Sequence, residues 1–255
     1  MPDTFLVTII FIAICAIIGA FVKGRSKDRC LTDFDGNIVT IRMKDGKVIW
    51  GRMRVENTGL ELVYDQPYKD DDHVETSYIL YKGEYDGILA LIRYEDTLTA
   101  LEAGSRARDI EKTKNPAWCS RVARNIRNVF GTVRDSLMEI AGLLIGRARS
   151  TMPAGELLKG QDKHVTQLQE DALSTVGTAY EPVLERYIGK KVVVAVTVEG
   201  GKEEYSGILK EYTARFVEIL DVECKNSDGN EQARRADLVI LRNVGVIRHA
   251  GDREA

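Results

Sequence analysis

The stretch from Gly36 to Tyr64 decides the fold, and it reads GNIVTIRMKDGKVIWGRMRVENTGLELVY. Apolar and polar residues alternate from Ile38 to Met43, a period of two that predicts a β-strand. Asp45-Gly46 is typical of a hairpin turn, because a tight hairpin needs a positive φ there. A return strand is therefore predicted from Val48 to Val55, and a third strand from Leu60 to Tyr64.

Glycines divide the strands that follow. Gly51 interrupts the return strand, and a glycine inside a strand usually marks a bend or a bulge. The segment from Ser77 to Arg93, SYILYKGEYDGILALIR, predicts two more strands that are broken at Lys82-Gly83 and Asp86-Gly87. The region from residue 31 to residue 94 therefore predicts five antiparallel strands.

The same pattern returns near the carboxyl end, from Gly189 to Val222: GKKVVVAVTVEGGKEEYSGILKEYTARFVEILDV. Aligning Gly46 with Gly201 and Gly51 with Gly207 needs one extra residue in the second copy. The strands of this copy are predicted at Val192–Val198, Glu204–Tyr212 and Arg215–Val222, with a final pair within Asp237–Ile247. Each copy suits a small closed barrel with few free edges.

The repeat resembles the Sm and Sm-like proteins. Glu181 to Tyr212 is similar to the opening of an Sm domain, and Leu238 to Val246, LVILRNVGV, is similar to its second motif. The first copy matches at Gly51-Arg52-Met53 and at Ile79 to Gly83. The resemblance implies two Sm-like five-stranded barrels, one at residues 31–94 and one at 181–250, in a chain that is mainly β with a helical middle.

The resemblance also implies a ring-like homo-oligomer, because Sm-like barrels pair their edge strands with neighbours. The apolar residues expected at such edges are Val239, Ile240, Leu241, Ile79 and Leu80.

RNA-binding members of the family place an aspartate and a base-contacting asparagine after the bent strand. The base-reading position holds Glu61 in the first copy and Val217 in the second, and neither side chain suits that role. The cation of the second motif is kept as Lys82 and Arg242, which are therefore the candidate nucleic-acid contacts.

The amino-terminal segment predicts a membrane anchor. The run from Thr4 to Val22 contains 19 residues without a charge, and about 20 apolar residues span a bilayer as a helix. Basic residues follow the run instead of preceding it, which favours an uncleaved anchor with the bulk of the chain, after residue 30, in the cytoplasm and the amino terminus outside. Ala16, Gly19 and Ala20 lie on one side of this helix and would allow close packing with another helix.

The region between the barrels, residues 95–180, predicts helices. An apolar stripe repeats every three or four residues from Pro116 to about Ser150, and arginines flank it. Three interpretations stay open: packing on the barrels or on partner helices, a bundle with other copies, and binding to an anionic membrane surface. A polar helix is predicted at about 154–176, and residues 251–255 form a tail.

Composition excludes several classes of protein. Charged residues make up 29% of the 255 residues and hydrophobic residues 44%, which excludes global disorder. The 36 basic and 39 acidic residues give a net charge of -3, so the total charge does not predict nucleic-acid binding. The four cysteines show no disulfide or zinc spacing.

No catalytic motif is present in the sequence. The acidic segment from Asp70 to Glu75 is interpreted as a solvated loop. We therefore expect no enzyme activity, no cofactor, no metal and no small-molecule substrate. The expected function is a membrane-anchored cytoplasmic scaffold that self-assembles. Two alternatives stay open, a membrane-tethered RNA-binding protein and an accessory subunit of an oligomeric channel.

Overall fold

The computed structural model of the chain describes residues 27–69, 73–116, 181–198, 201–224 and 233–251. The strands are β1 (Ile38–Met43), β2 (Val48–Val55), β3 (Gly59–Lys69), β4 (Val74–Tyr81), β5 (Ile88–Tyr94), β6 (Lys191–Val198), β7 (Gly201–Tyr212), β8 (Phe216–Cys224), β9 (Arg234–Leu241) and β10 (Gly245–Ala250). The α-helices are α1 (Arg29–Thr32), α2 (Ala100–Lys114) and α3 (Pro182–Glu185), with 3₁₀ helices at Lys82–Gly87 and Glu95–Thr97. The mainly β, antiparallel character predicted from the sequence is confirmed, and every predicted strand is present.

The ten strands form one continuous sheet, whereas the sequence predicts two separate barrels. The order is β10-β6-β7-β8-β9-β5-β1-β2-β3-β4. Each half keeps its own five strands, and the halves are joined where β5 pairs with β9, with Leu91 opposite Val239 and Arg93 opposite Asp237. We call this β5–β9 pairing the internal seam.

Two glycines allow strands to approach closely at equivalent points of the repeat. A Cβ atom at Gly51 would lie 2.8 Å from the carbonyl oxygen of Val63, and one at Gly207 would lie 2.6 Å from that of Leu220. Both glycines lie opposite a valine of the preceding strand, Val39 or Val192. The structure therefore supports the alignment of these glycines.

The hydrophobic interior consists of two clusters that meet at the internal seam. Side chains alternate between the two faces of a strand. Leu91 and Val239 accordingly belong to the cluster of the first half, whereas Ile92 and Leu238 belong to that of the second half. All four are at most 3% exposed. The seam strands are thus covered on both faces, and separating the halves would expose both clusters.

The segment around α1 packs across both halves. Cys30, Leu31 and Phe34 are buried in the first cluster, which also contains Phe216 of β8. The Arg29 guanidinium lies 3.5 Å from a carboxylate oxygen of Glu211 in β7. Helix α1 is therefore held against β7 and β8 of the second half as well as against the first cluster.

A buried carboxylate, Asp237 of β9, organises the seam. Arg93 of β5 donates to its Oδ2 at 2.8 Å, and Arg106 of α2 donates to both oxygens at 2.9 and 3.1 Å. The backbone N–H of Asp221 donates to Oδ1 at 3.0 Å, from a residue held at φ 57°. One side chain therefore connects strands from both halves and helix α2.

A second buried charge lies in β8. Glu218 is fully buried, and Lys210 Nζ lies 3.2 Å from its Oε1 and 2.9 Å from Oδ2 of Asp33. Burial raises the pKa of the Glu218 carboxyl well above its usual range, and the neighbouring Asp33 raises it further while Lys210 opposes the shift. Burial lowers the pKa of Lys210, but Glu218 and Asp33 outweigh it and the net shift is upward.

Several predicted segments lie outside the described residues. They are the anchor at Thr4–Val22 with Ala16, Gly19 and Ala20, the basic helix at 116–150 and the polar helix at 154–176. Within the part of the chain that the structure describes, no helix has the length and apolar character needed to cross a bilayer.

We predict that Asp237→Asn destabilises the fold by about 3–5 kcal/mol, because it removes the buried carboxylate that two buried guanidinium groups share and leaves Arg106 only its longer contacts, of 3.5 and 3.6 Å, with other carboxylates. Chemical unfolding of the full chain, followed by circular dichroism, measures this. The control is Asp96→Asn, which weakens the more exposed pair of Asp96 with Arg234 and should cost at most about 1 kcal/mol. Equal effects of the two substitutions would contradict a central role for Asp237.

We predict that Glu218→Gln stabilises the fold at pH 7.5 and has little effect near pH 4. A carboxyl whose pKa is raised by folding binds more protons in the folded state, so its contribution to stability falls as the pH rises above its unfolded pKa of about 4.3. Glutamine removes this penalty, so its stabilising effect should grow as the pH rises from 4 to 7.5. Thermal unfolding across this pH range measures the effect. Glu61→Gln, at a half-exposed position of β3, is the control, and a pH-independent effect of Glu218→Gln would refute the prediction.

Candidate functional site: the two open edges of the sheet

The two ends of the sheet are open among the described residues. Strand β4 pairs only with β3, and strand β10 pairs only with β6. An unpaired edge exposes N–H and C=O groups that can template pairing with another strand. We call β4 and β10 the open edges.

Hydrogen bonds show that β4 and β9 are equivalent strands of the repeat. The β2–β3 turn is closed by the Glu56 N–H, which donates to Gly59 O at 2.8 Å, and the β7–β8 turn by the Thr213 N–H, which donates to Phe216 O at 2.8 Å. In the same way the Lys82 N–H donates to Thr58 O at 2.9 Å, and the Arg242 N–H to Arg215 O at 2.7 Å. Lys82 therefore matches Arg242, and each residue of β4 matches the residue of β9 that is 160 positions later.

The strands β5 and β10 correspond in the same way. Gly51 lies opposite Val39 and Gly207 lies opposite Val192, so Val39 and Val192 are equivalent residues. Two residues further along each strand, Ile41 is therefore equivalent to Val194. Ile41 pairs with Leu91, and Val194 pairs with Ile247. Leu91 therefore matches Ile247, and its neighbour Ala90 matches Val246.

Two pairs of equivalent apolar residues in β4 and β9 differ sharply in exposure. Val239 is fully buried and its counterpart Ile79 is 56% exposed. Leu241 is 2% exposed and its counterpart Tyr81 is 61% exposed. The difference arises because β5 covers β9, whereas no described strand covers β4.

The β10 edge shows the same contrast. Ala90 is 2% exposed, whereas its counterpart Val246 is 41% exposed. Leu91 is fully buried, whereas Ile247 is half-buried. Both open edges therefore present the apolar residue types that the internal seam buries.

Only every second residue of β4 directs its backbone N–H and C=O groups away from β3. Ladder bonding alternates along an antiparallel strand. The Lys82 N–H donates to Thr58 O, in the turn before β3. The backbone N–H and C=O groups of Leu80 and Tyr78 therefore also point toward β3, whereas those of Ile79 point away from β3. The N–H and C=O groups of Ile79 are therefore directed outward.

The structure corrects part of the expected oligomer edge. Val239, Ile240 and Leu241 lie in β9, which is flanked by β8 on one side and β5 on the other. Val239 and Ile240 are fully buried, so they form an edge only within the chain. Ile79 and Leu80, in contrast, lie in the open strand β4, where Leu80 points into the first cluster.

The candidate nucleic-acid contacts lie at one end of the internal seam. Arg215 connects them, because its guanidinium donates to Lys82 O at 3.0 Å and its carbonyl oxygen accepts from the Arg242 N–H. The Arg242 guanidinium donates to Thr213 O at 3.0 Å and forms an ion pair with Glu181. Its charge is thus engaged inside the chain, where it stabilises the start of the second half.

Sequence reasoning missed the network of Asp237, Arg93 and Arg106. The only signal was an aspartate at the start of the apolar run of β9, since a buried charge needs a partner. The partners lie 144 and 131 residues away in the sequence, so spacing alone could not identify them.

Comparison with known proteins returned no match, neither to a family model nor to a curated protein nor to a solved structure. The functional interpretation therefore rests on the geometry of the chain itself.

Proposed function

We propose that this protein is a membrane-anchored scaffold that assembles with copies of itself through its two open edges. Each five-stranded half acts as an Sm-like barrel, and β4 of one chain pairs with β10 of the next. The observation that carries the proposal is the internal seam, where the equivalent strands β9 and β5 already form this contact.

The internal seam also supplies the register of the proposed contact between chains. Leu91 lies opposite Val239. Replacing each residue by its counterpart places Ile247 of one chain opposite Ile79 of the next. The same replacement places Val246 opposite Leu80, so each of these pairs joins an exposed apolar residue of one edge to a more buried apolar residue of the other.

The proposed contact is heterologous, because it joins two different surfaces. Contacts of this kind generate closed rings when the rotation between copies closes, and filaments when it does not. We favour a ring, in which no edge is left open. The predicted anchor supports assembly because it would hold the chains in one plane and raise their effective concentration.

The mass of the full-length particle in a mild detergent tests the proposal. We predict that the wild-type chain forms an oligomer and that Ile79→Lys reduces it to monomers, since a lysine on the open edge blocks strand pairing. The control is Trp50→Lys, which removes an equally exposed apolar residue, 57% against 56%, from β2 in the interior of the sheet. Trp50→Lys should leave the mass unchanged, and both variants should keep the wild-type circular dichroism spectrum, which shows that they remain folded. A folded monomeric wild type would refute the proposal.

Mixed cysteine variants test the direction of the contact. In a background with Cys15 and Cys119 replaced by serine, chains with Ile79→Cys and chains with Ile247→Cys should form disulfides only when mixed. Directly opposite residues of a hydrogen-bonded pair lie about 5.5 Å apart at Cα, which a disulfide can bridge. The native Cys30 and Cys224 are buried, and burial raises the pKa of both thiols, so neither competes.

The controls for the mixing experiment follow from the same register. Ser77→Cys lies two residues from Ile79 on the same face and should cross-link poorly to Ile247→Cys. Cross-linking of Ile79→Cys chains with each other would indicate a symmetric β4–β4 contact and would contradict the head-to-tail arrangement.

A further inference from the structure

The chain around α1, residues 28–35, is held on the second half by polar contacts. The Arg29 guanidinium donates to the carbonyl oxygen of Tyr212 at 3.4 Å. Oδ2 of Asp33 lies 2.9 Å from Nζ of Lys210 in β7. We call residues 28–35 the α1 segment, and its position depends on polar groups of β7 as well as on apolar packing.

One lysine of β7 faces three carboxyl groups. Lys210 Nζ lies 2.9 Å from Asp33 of the α1 segment, 3.2 Å from Glu218 of β8 and 3.8 Å from Asp109 of α2. Glu218 is the fully buried member, and neither of its carboxylate oxygens has a hydrogen-bond partner among the described residues. A single ammonium charge cannot neutralise three carboxylates, so the cluster favours one protonated carboxyl group.

The other charged groups near this cluster do not remove the excess of acid. The Arg29 guanidinium lies 3.5 Å from Glu211 of β7, and Arg93 of β5 lies 2.8 Å from Asp237. The remaining titratable groups belong to the α1 segment itself, the Asp28 carboxyl and the fully buried Cys30 thiol. Opposite Glu218, β9 presents the apolar Val239.

The buried position selects Glu218 as the group that keeps the proton. An ionised carboxylate without hydrogen bonds is costly to bury, whereas a protonated carboxyl is neutral and can donate its O–H to a carboxylate. Asp33 supplies that acceptor from the α1 segment. Burial raises the pKa of Glu218 well above its usual range, Lys210 opposes the shift, and Asp33 adds to it.

Release of the α1 segment would reverse these conditions. Water would reach Glu218 and Asp33 would leave, so the carboxyl would return toward the ordinary glutamate pKa of about 4.3. The segment in place therefore binds one more proton than the released segment above that pH. Release becomes easier as the pH rises from about 4.3 to the raised pKa, by up to about tenfold per pH unit.

We propose that a proton on Glu218 holds the α1 segment on the sheet and that loss of this proton to solvent, as the pH rises, releases the segment from β7 and β8. Openings of this kind can be local and need no global unfolding. The inference goes beyond the proposed function, because the α1 segment contributes no residue to β4 or β10.

The reactivity of the Cys30 thiol tests the inference, because Cys30 is fully buried in the α1 segment. The full-length chain, with Cys15 and Cys119 replaced by serine, is labelled with a thiol reagent at pH 5 and pH 8, and mass spectrometry follows Cys30. Dividing the wild-type rate by the Glu218→Gln rate at each pH cancels the pH dependence of thiol chemistry. Glutamine cannot ionise, so this ratio should increase about tenfold or more from pH 5 to pH 8.

Two further variants separate the proton on Glu218 from a general loss of charge. Glu211→Gln removes a carboxylate that faces Arg29 of the same segment, and it should keep the wild-type pH dependence. Asp33→Asn removes the charge that an ionised Glu218 would repel, and it should reduce the pH dependence. Circular dichroism checks that each variant is folded.

The rate at Cys30 also separates local release from global unfolding. At pH 8 the wild-type thiol should react faster than the free energy of unfolding, measured at the same pH, allows. A rate ratio that is equal at pH 5 and pH 8, or a Cys30 rate no faster than global unfolding allows, would overturn the inference. Neither result bears on the mass of the oligomer, which tests the proposed function.

Discussion

The structure depends on one buried carboxylate. Asp237 is fully buried, and its charge is compensated by Arg93 and Arg106 together with the N–H of Asp221. Removing one partner of such a group costs several kcal/mol, because a buried charge is left unpaired. The partners of Asp237 come from outside the second half, since Arg93 belongs to β5 of the first half and Arg106 to α2 of the insertion. The link between the halves is thus specified by charge as well as by apolar packing.

The two interior clusters follow from the same seam. Because β5 and β9 are buried on both faces, their sequences contain nearly continuous apolar runs in place of alternation. Neither half can be removed without exposing one face of the strands that remain. The insertion between the halves contributes Arg106 to the seam, which explains why α2 is attached to the sheet although Arg106 is its only buried residue.

The strands could be predicted from the sequence, but their pairing could not. Alternation and turn glycines located the elements, and Gly51 and Gly207 established the repeat because each permits a close backbone approach. The pairing of β5 with β9 depends on residues far apart in the chain, and an apolar strand such as Leu238–Leu241 is equally compatible with an internal or an external partner. Apolar character therefore could not distinguish Ile79, which lies in a terminal strand of the sheet, from Val239, which lies in an internal one.

One repeat position separates the internal seam from the proposed contact in its buried charge. Ser77 of β4 is the counterpart of Asp237, so the contact between chains has the apolar pairs of the seam without its buried carboxylate. A neutral edge neither requires arginines on its partner nor imposes a large penalty when it is unpaired, because its groups can be hydrated. The internal seam thus has a partner requirement that only β5 and α2 meet, whereas β4 remains able to associate and dissociate. In the proposed assembly, this asymmetry makes the whole chain, and not the five-stranded half, the unit that is exchanged.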